Sequence, residues 1–115
     1  MKILNASLVA VDQGNTDLFE DFTDGGPMWT QQGTREKRVK VRFEHPFAQP
    51  PSVQVSISMW DVDYSTNVRA DLDAEKITKK GFEIVFRTWG NTRIARARAS
   101  WMAIGPARDD DMWDV

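Results

Sequence analysis

Hydrophobic residues recur at every second position along most of this chain. In residues 37–45, KRVKVRFEH, Val39, Val41 and Phe43 alternate with charged side chains. A period of two is typical of a half-buried β-strand, and no window of helical length shows a 3.6-residue hydrophobic stripe. The same alternation is found in five further runs, at residues 3–11, 51–60, 67–77, 81–89 and 92–104.

Short turn sequences separate these runs and predict how they are joined. They lie at 48–51, 63–67, 78–81 and 89–91, and Pro50 and Pro51 mark a corner because proline interrupts strand pairing. Six strands with short connections predict an all-β fold, a six-stranded antiparallel β-sandwich. The 115 residues have the length of one domain, which we place at 1–105, with an acidic tail at 106–115.

Residues 12–36 are the exception to the strand pattern. The segment is too long for a hairpin turn, and it carries Phe19, Phe22 and Trp29. A long loop within a compact domain is usually functional or disordered. The aromatic residues favour a loop that packs over one end of the sandwich.

Charge and composition limit the possible partners. The 15 basic and 17 acidic residues give a net charge of −2, which argues against a dedicated nucleic-acid-binding protein. Four aspartates in the tail make the net charge negative, because the rest of the chain carries a net charge of about +2. The absence of cysteine excludes disulfides and a thiolate zinc site. We expect no membrane span and no secretory signal peptide, and the sequence leaves the localisation open.

Residues typical of catalysis are sparse. His45 is the only histidine and precedes Pro46 at a strand end, so a surface or turn role is favoured over a metal or acid–base role. A Ser–His–acid triad would have to use that same histidine, and we therefore expect no enzyme activity, no metal and no cofactor. The clustered carboxylates lack EF-hand spacing and are interpreted as solvated loop charges: Glu20, Asp21, Asp24, Asp61 and Asp63.

The last strand presents arginines on one face and alanines on the other. Because successive side chains of a strand point to opposite faces, Arg96 and Arg98 share one face with Met102. The alanines lie on the other face, where their small side chains allow another sheet to pack closely. Asp71 and Asp73 have matching spacing on another strand, which predicts cross-strand ion pairs and a face suited to an oligomer interface. The alternative, single-stranded nucleic-acid binding through residues 93–98, would require these arginines to be free of acids.

Residues 40–105 resemble the H-type lectin domain of snail agglutinins and slime-mould discoidins. The resemblance rests on the corner PFAQPPSV and on the segments WDVDYSTNVR, ITKKGF, TWGNT and SWMAIG, which occur in this order. It implies a six-stranded sandwich that assembles as a homotrimer around a threefold axis, sometimes stacked into hexamers. The implied activity is non-catalytic, metal-independent binding of sugars, especially N-acetylgalactosamine or galactose, in clefts between subunits.

The resemblance also implies two binding residues. The family's sugar-binding arginine corresponds to Arg69, and its tryptophan in the TW segment corresponds to Trp89. A guanidinium donates to hydroxyl and carbonyl oxygens, and an indole face packs against the apolar side of a pyranose. The structural alternative is a tryptophan that caps the sandwich and an arginine paired with Asp61 or Asp63.

Other positions depart from the family pattern. Snail agglutinins often carry histidine where this chain has Gly90, and a tyrosine where it has Ala95. The acidic residue that grips sugar hydroxyls from the long loop corresponds to Gln32, with Asp24 as the alternative source of a carboxylate. The groups that set the agglutinins' sugar preference are therefore altered here.

Two functions follow from these observations. The first is a carbohydrate-binding lectin module that acts as a homotrimer. The second is a lectin-fold trimerisation or attachment module in a larger assembly, with weak or no sugar binding.

Overall fold

Two three-stranded antiparallel sheets form the structure, a computed structural model that describes residues 1–5 and 7–108. One sheet has the order β1–β6–β3 and the other the order β2–β5–β4, so the predicted all-β sandwich is confirmed. In chain order the elements are β1 (Val9–Phe19), α1 (Asp21–Asp24), α2 (Pro27–Thr30), β2 (Arg35–Arg42), β3 (Ser52–Val62), β4 (Ala70–Glu75), β5 (Gly81–Thr88) and β6 (Ile94–Pro106).

The first strand lies later in the chain than predicted. The sequence pattern placed it at 3–11, whereas β1 runs from Val9 to Phe19 and occupies part of the predicted loop. The inward positions before Leu18 are small or polar, namely Ala10, Asp12, Gly14 and Thr16, so this part of the strand shows little hydrophobic alternation. Gly14 illustrates the reason, because a Cβ there would meet the indole of Trp101 at 3.0 Å. The strand lies too close to Trp101 at this point for a larger residue.

The remainder of the predicted loop contains two helices that the sequence pattern missed. α1 and α2 have four residues each, which is too short for a 3.6-residue period to be visible. α2 begins with Pro27, a residue suited to the first helical position. Among the described residues no helix has the length and apolar character needed to cross a membrane.

Strand β6 is the central strand of its sheet, and between Arg96 and Ala103 it shows the predicted arginine and alanine faces. Ala97, Ala99 and Ala103 are buried, while Arg96 and Arg98 are exposed. The small alanines allow the opposite sheet to approach with its aromatic residues. Strand β6 continues to Pro106, so the domain boundary placed at 105 falls within the strand; residues 109–115 of the predicted tail lie outside the described part of the chain.

The predicted ion pairs between the arginines of β6 and the aspartates of β4 are wrong, because these strands belong to different sheets. The correction concerns Arg96, Arg98, Asp71 and Asp73. Arg96 pairs with Asp61 at 3.5 Å, and Arg98 donates to the hydroxyl of Ser58 at 3.3 Å. Asp71 instead pairs with Arg87 of β5 at 3.5 Å. Spacing along two strands reveals matching charges but does not show which strands are neighbours.

A network of ion pairs covers the outer face of the β2–β5–β4 sheet. Arg38 binds Glu36 at 3.0 Å, Glu83 at 3.0 Å and Glu75 at 3.2 Å. Arg87 shares two of these partners, with Glu36 at 2.9 Å and Glu75 at 2.8 Å. Hydrogen bonds from Arg38 lower the pKa of Glu36, and hydrogen bonds from Arg87 lower the pKa of Glu75.

The network shields an apolar residue on this outer face. Val85 points away from the core by strand alternation, yet its exposed fraction is 0 %. In the sheet register it lies between Arg38 of β2 and Asp73 of β4. The aliphatic parts of long charged side chains can cover apolar surface in this way. The network therefore pairs charges and also shields Val85 from solvent.

Substituting Glu75→Gln is expected to weaken the dependence of folding stability on acidic pH. A carboxyl whose pKa is lowered in the folded state stabilises the fold above its ordinary value of 4.5, and that contribution is lost as the pH falls through the folded value. Thermal unfolding at pH 7 and at about pH 3 measures the difference. The variant should lose stability at pH 7 and show a smaller further loss at the acidic pH.

Glu44→Gln is the matched control, since Glu44 is exposed and its side chain takes no part in the network. Because exposed pairs are screened by salt, 1 M NaCl should reduce the difference between Glu75→Gln and the unsubstituted protein. An identical pH dependence in the two proteins would contradict this interpretation of the network.

Candidate functional site

Three segments meet at one end of the sandwich. Strands β1, β3 and β5 end there, and strands β2, β4 and β6 begin there. The connecting segments are residues 20–34, 63–69 and 89–93, and we refer to this part of the molecule as the site end. All five residues predicted to bind sugar lie on these segments: Asp24, Gln32, Arg69, Trp89 and Gly90.

Two buried threonines fix the segment that carries Arg69. The hydroxyl of Thr92 accepts a hydrogen bond from the backbone N–H of Arg69 at 3.1 Å and donates to the carbonyl of Asn67 at 2.6 Å. The hydroxyl of Thr88 donates to the carbonyl of Arg69 at 2.5 Å. Both threonines have an exposed fraction of 0 %. The backbone of Arg69 is thus held against the β5–β6 turn.

Arg69 and the β5–β6 turn are neighbours. Gly90 has a φ of +68°, in the left-handed region that favours glycine. A Cβ at Gly90 would lie 3.8 Å from both Cδ and Nη1 of Arg69, so the arginine side chain extends along the turn. Trp89, the preceding residue, has an exposed fraction of 42 %. An exposed guanidinium and an exposed indole therefore lie on adjoining segments.

The structural alternative for Arg69, pairing with Asp61 or Asp63, is wrong. Asp61 pairs with Arg96, and Asp63 pairs with Arg93 at 3.2 Å. Among the described side chains Arg69 has no ion-pair partner. Its guanidinium is consequently available to a ligand.

The two loop residues have different positions. The backbone N–H of Gly33 donates to the carbonyl of Gly90 at 2.9 Å, which brings the neighbouring residue Gln32 beside the turn, where it is exposed. Asp24 lies on α1, and within the described part of the chain no side-chain hydrogen bond or ion pair connects it with the other four residues. Gln32 therefore lies next to the turn that carries Trp89 and Gly90, whereas no such bond links Asp24 to this turn within the described part of the chain.

The residue that assembles this end was missed by the sequence analysis. Arg35, with an exposed fraction of 5 %, donates to the carbonyls of Gly33 at 2.9 Å, Met28 at 3.2 Å, Thr92 at 2.7 Å and Gly90 at 3.2 Å. Burial lowers the pKa of its guanidinium. A signal was present, because strand alternation places residue 35 on the inward face of β2.

A second arginine holds the other side of the site end. Arg93 donates to the carbonyl of Trp29 at 3.0 Å, and its guanidinium lies 4.1 Å from the centre of the Trp29 ring. It also donates to Asp63, whose pKa is lowered first by the hydroxyl of Ser65 at 2.7 Å. Arg93 and Arg96 both have acidic partners. Nucleic-acid binding through residues 93–98 would require these arginines to be free of acids, and these two are not.

The exposed groups of the cluster of Arg69 and Trp89 suit a polar ligand with one apolar face. The guanidinium of Arg69 donates hydrogen bonds, and the indole of Trp89 offers a stacking surface. Side-chain amides add donors and acceptors, with Nδ2 of Asn67 donating to Oδ1 of Asn91 at 3.3 Å. No group of three or more His, Cys, Asp or Glu side chains in the described residues has the arrangement of a metal site.

A family model for the H-type lectin domain matches residues 38–104. The chain belongs to the H-type lectin domain family. The matched region includes Arg69, Trp89 and Gly90, whereas Gln32 and Asp24 precede it. The family resemblance seen in the sequence is therefore confirmed.

Two relatives match most of this H-type lectin domain. A protein of Fuscovulum blasticum described as ATP synthase subunits region ORF 7 is 57 % identical over 107 residues, which are 93 % of both chains. A discoidin-1 chain of Dictyostelium discoideum is 33 % identical over 95 residues, which are 82 % of this chain and 37 % of the discoidin. The domain is thus similar to nearly all of the first protein and to about a third of the second.

Solved structures confirm the fold of the domain. Discoidin II of Dictyostelium discoideum superposes with a TM-score of 0.75 at 23 % identity, over 91 % of this chain and 40 % of that chain. A tailspike protein of Pseudomonas phage LKA1 superposes with a TM-score of 0.55 at 14 % identity, over 88 % of this chain and 15 % of that chain. Both solved chains are considerably longer than this one.

Substituting Arg35→Met is expected to destabilise the H-type lectin domain by about 3 kcal/mol or more, because each buried carbonyl left without a donor costs about 1–3 kcal/mol. Chemical denaturation measures the loss. Hydrogen exchange of the Gly33 amide should accelerate as well, since this amide bridges the two segments that Arg35 holds together.

Lys37→Met is the matched control, an exposed position two residues along the same strand. Arg35→Lys should show an intermediate loss, because an ammonium keeps the charge but reaches fewer of the carbonyls. Equal stability of Arg35→Met and the control would contradict the assigned role.

Proposed function

We propose that this chain is a non-catalytic, carbohydrate-binding lectin module. It binds glycans that end in galactose or N-acetylgalactosamine, in clefts between the subunits of a homotrimer. The observation that carries the proposal is the exposed guanidinium of Arg69, without an acidic partner among the described side chains and extended along the turn of Trp89 and Gly90. Membership of the H-type lectin domain family supports a carbohydrate-binding function.

The cluster supplies the interactions that a sugar requires. Arg69 donates to hydroxyl oxygens or to an N-acetyl carbonyl, and Trp89 packs against the C–H face of the ring. The amide of Gln32 both donates and accepts, but it lacks the charge-assisted strength of a carboxylate. Gly90 leaves open the space that a side chain would fill beside the arginine. This composition favours modest affinity and tolerance of several related sugars.

The outer face of the β1–β6–β3 sheet has the features of a contact between subunits. It exposes apolar side chains of β1 and β6, namely Val9, Val11, Met102 and Ile104. Val11 and Ile104 are cross-strand neighbours, and exposed apolar side chains that lie together are common at protein–protein contacts. Arg96 and Arg98 lie at one end of the same face, consistent with the interface role predicted from the sequence. Association would place several weak sugar sites on one particle, which raises avidity without new contacts.

Arg69→Ala and Trp89→Ala are each expected to reduce glycan binding about tenfold or more, which corresponds to about 1.4 kcal/mol. Binding is measured on a glycan array and by calorimetry with the glycans that score highest. Both side chains are exposed and lie outside the core, so the variants should retain their melting temperature. Lys37→Ala, at an exposed position of β2 that belongs to neither the cluster nor the cation-lined end of the sandwich, is the control. A folded protein that binds no glycan would refute the proposal.

Met102→Glu is expected to convert the homotrimer to monomers. The carboxylate would have to be buried without a partner, which is strongly unfavourable. Native mass spectrometry and light scattering measure the mass, with Lys37→Glu as a control on the other sheet. A monomeric unsubstituted protein, or a Met102→Glu variant that remains trimeric, would contradict this part of the proposal.

The second candidate is a lectin-fold trimerisation or attachment module in a larger assembly. The departures at Gly90 and Gln32 favour it, as they remove side chains that define the agglutinins' sugar preference. The same fold also forms only 15 % of the phage tailspike chain, so it occurs as a small part of a large protein. A stable trimer with no response on the glycan array would favour this function over the first.

A further inference from the structure

The end of the sandwich opposite Trp89 carries a groove lined by cations. Two cavities of about 540 and 460 Å³ lie beside the β4–β5 turn and share Lys80, and together we call them the basic groove. The cations in its lining are Lys40, Arg42, Lys76, Lys79, Lys80 and Arg108. Glu83 is the one carboxylate among the described lining residues, and it is bound by Arg38 at 3.0 Å and by Lys76 at 3.8 Å.

The backbone holds two of these lysines in place. The carbonyl of Lys79 accepts a hydrogen bond from the N–H of Phe47 at 2.9 Å, and the carbonyl of Lys80 accepts one from Phe43 at 2.9 Å. The hydroxyl of Thr78 accepts from the N–H of Lys80 at 3.1 Å. Both lysine side chains are exposed. Two positive charges are therefore presented from a turn whose backbone is already fixed.

A third lysine occupies an unusual backbone conformation. Lys76 has a φ of +52°, the only positive φ of a non-glycine residue in the described part of the chain. Glycine or asparagine adopts this conformation with less strain. The Lys76 side chain is 71 % exposed, so packing does not explain the choice of lysine. Backbone outliers of this kind concentrate at functional sites.

We propose that the basic groove binds an acidic polysaccharide, a linear sugar polymer with regularly spaced sulfate or carboxylate groups. Separate cationic groups match anions repeated along a chain, and two cavities that meet at Lys80 present more cations than a single small anion requires. The aromatic residues of the lining are buried, with exposed fractions of 3 % for Phe47 and 4 % for Phe82. The groove thus offers no ring for stacking, which disfavours neutral sugars and single-stranded nucleic acids.

The basic groove is independent of the proposed sugar site. It lies at the other end of the strands and shares no residue with the cluster of Arg69 and Trp89. A chain with both sites would bind a neutral glycan at one end and an acidic one at the other. Loss of either site should leave the other intact, so the two proposals can fail separately.

Heparin serves as the sulfated polymer and alginate as the carboxylated one, with binding measured by biolayer interferometry across a salt series. We expect affinity for at least one of them that falls steeply with salt, and the comparison shows which anion is preferred. Lys80→Gln should weaken binding about three- to tenfold at low salt and reduce the slope of log affinity against log salt by about one, as expected for one lost ionic contact.

Lys76→Gly is a second variant, in which a loss of binding cannot be attributed to a loss of folding stability. Glycine suits the positive φ, so the melting temperature should be maintained or raised while polymer binding falls. Lys37→Gln, with the same change of charge on a residue outside the groove, should bind nearly as well as the unsubstituted protein. Arg69→Ala should also leave polymer binding unchanged.

Three outcomes would overturn the proposal. The first is the absence of binding to both polymers at low salt. The second is an equal loss in Lys80→Gln and Lys37→Gln, which would show a response to net charge alone. The third is binding to a single-stranded oligonucleotide as tight as to either polymer, which would assign the groove to nucleic acid.

Discussion

The site end of this sandwich depends on one buried guanidinium. Arg35 faces carbonyl oxygens and no carboxylate, and the groups that it joins come from the α2 segment and the β5–β6 turn. A planar group with five donors can satisfy several converging carbonyls that would otherwise be buried without partners. The turn with Trp89 and the loop with Gln32 are therefore held in one arrangement before any ligand arrives. Preorganisation of this kind reduces the ordering cost of binding.

Arginines have three different roles in this chain. Arg35 is buried among neutral acceptors and assembles loops. Arg38 and Arg87 lie at the surface, where they pair with glutamates and cover Val85. Arg69 is exposed and lacks an acidic partner among the described side chains, which is the state expected of a ligand-binding group. Residue type alone does not separate these roles, whereas burial and the identity of the acceptor do.

Strand chemistry made most of the fold predictable from the sequence. Runs such as the one around Val39 and Val41 alternate cleanly because one face is buried and the other is solvated. The first strand was misplaced because Gly14 and its inward neighbours are small or polar, so close packing against Trp101 leaves no hydrophobic period. The ion pairs of β6 were misassigned because charge spacing carries no information about which sheet a strand joins.

The candidate site was predictable to a similar extent. Arg69, Trp89 and Gln32 follow from family resemblance, and the structure places them on adjoining segments of one end. The role of Arg35 depends on carbonyls contributed by residues as far away as Thr92, 57 positions along the chain. Contacts between residues so far apart in sequence cannot be inferred from local sequence patterns, because they depend on how the sheets pack.

The left-handed backbone at Gly90 restricts how the site could change over evolutionary time. Asparagine, aspartate and histidine enter this conformation more readily than other side chains, whereas β-branched residues are strongly disfavoured. Replacements here would therefore mostly add an amide, a carboxylate or an imidazole beside Arg69, and each would offer a sugar a different pattern of donors and acceptors. The histidine typical of snail agglutinins is one of these three. A single turn position can thus retune sugar preference while the sandwich that supports it stays the same.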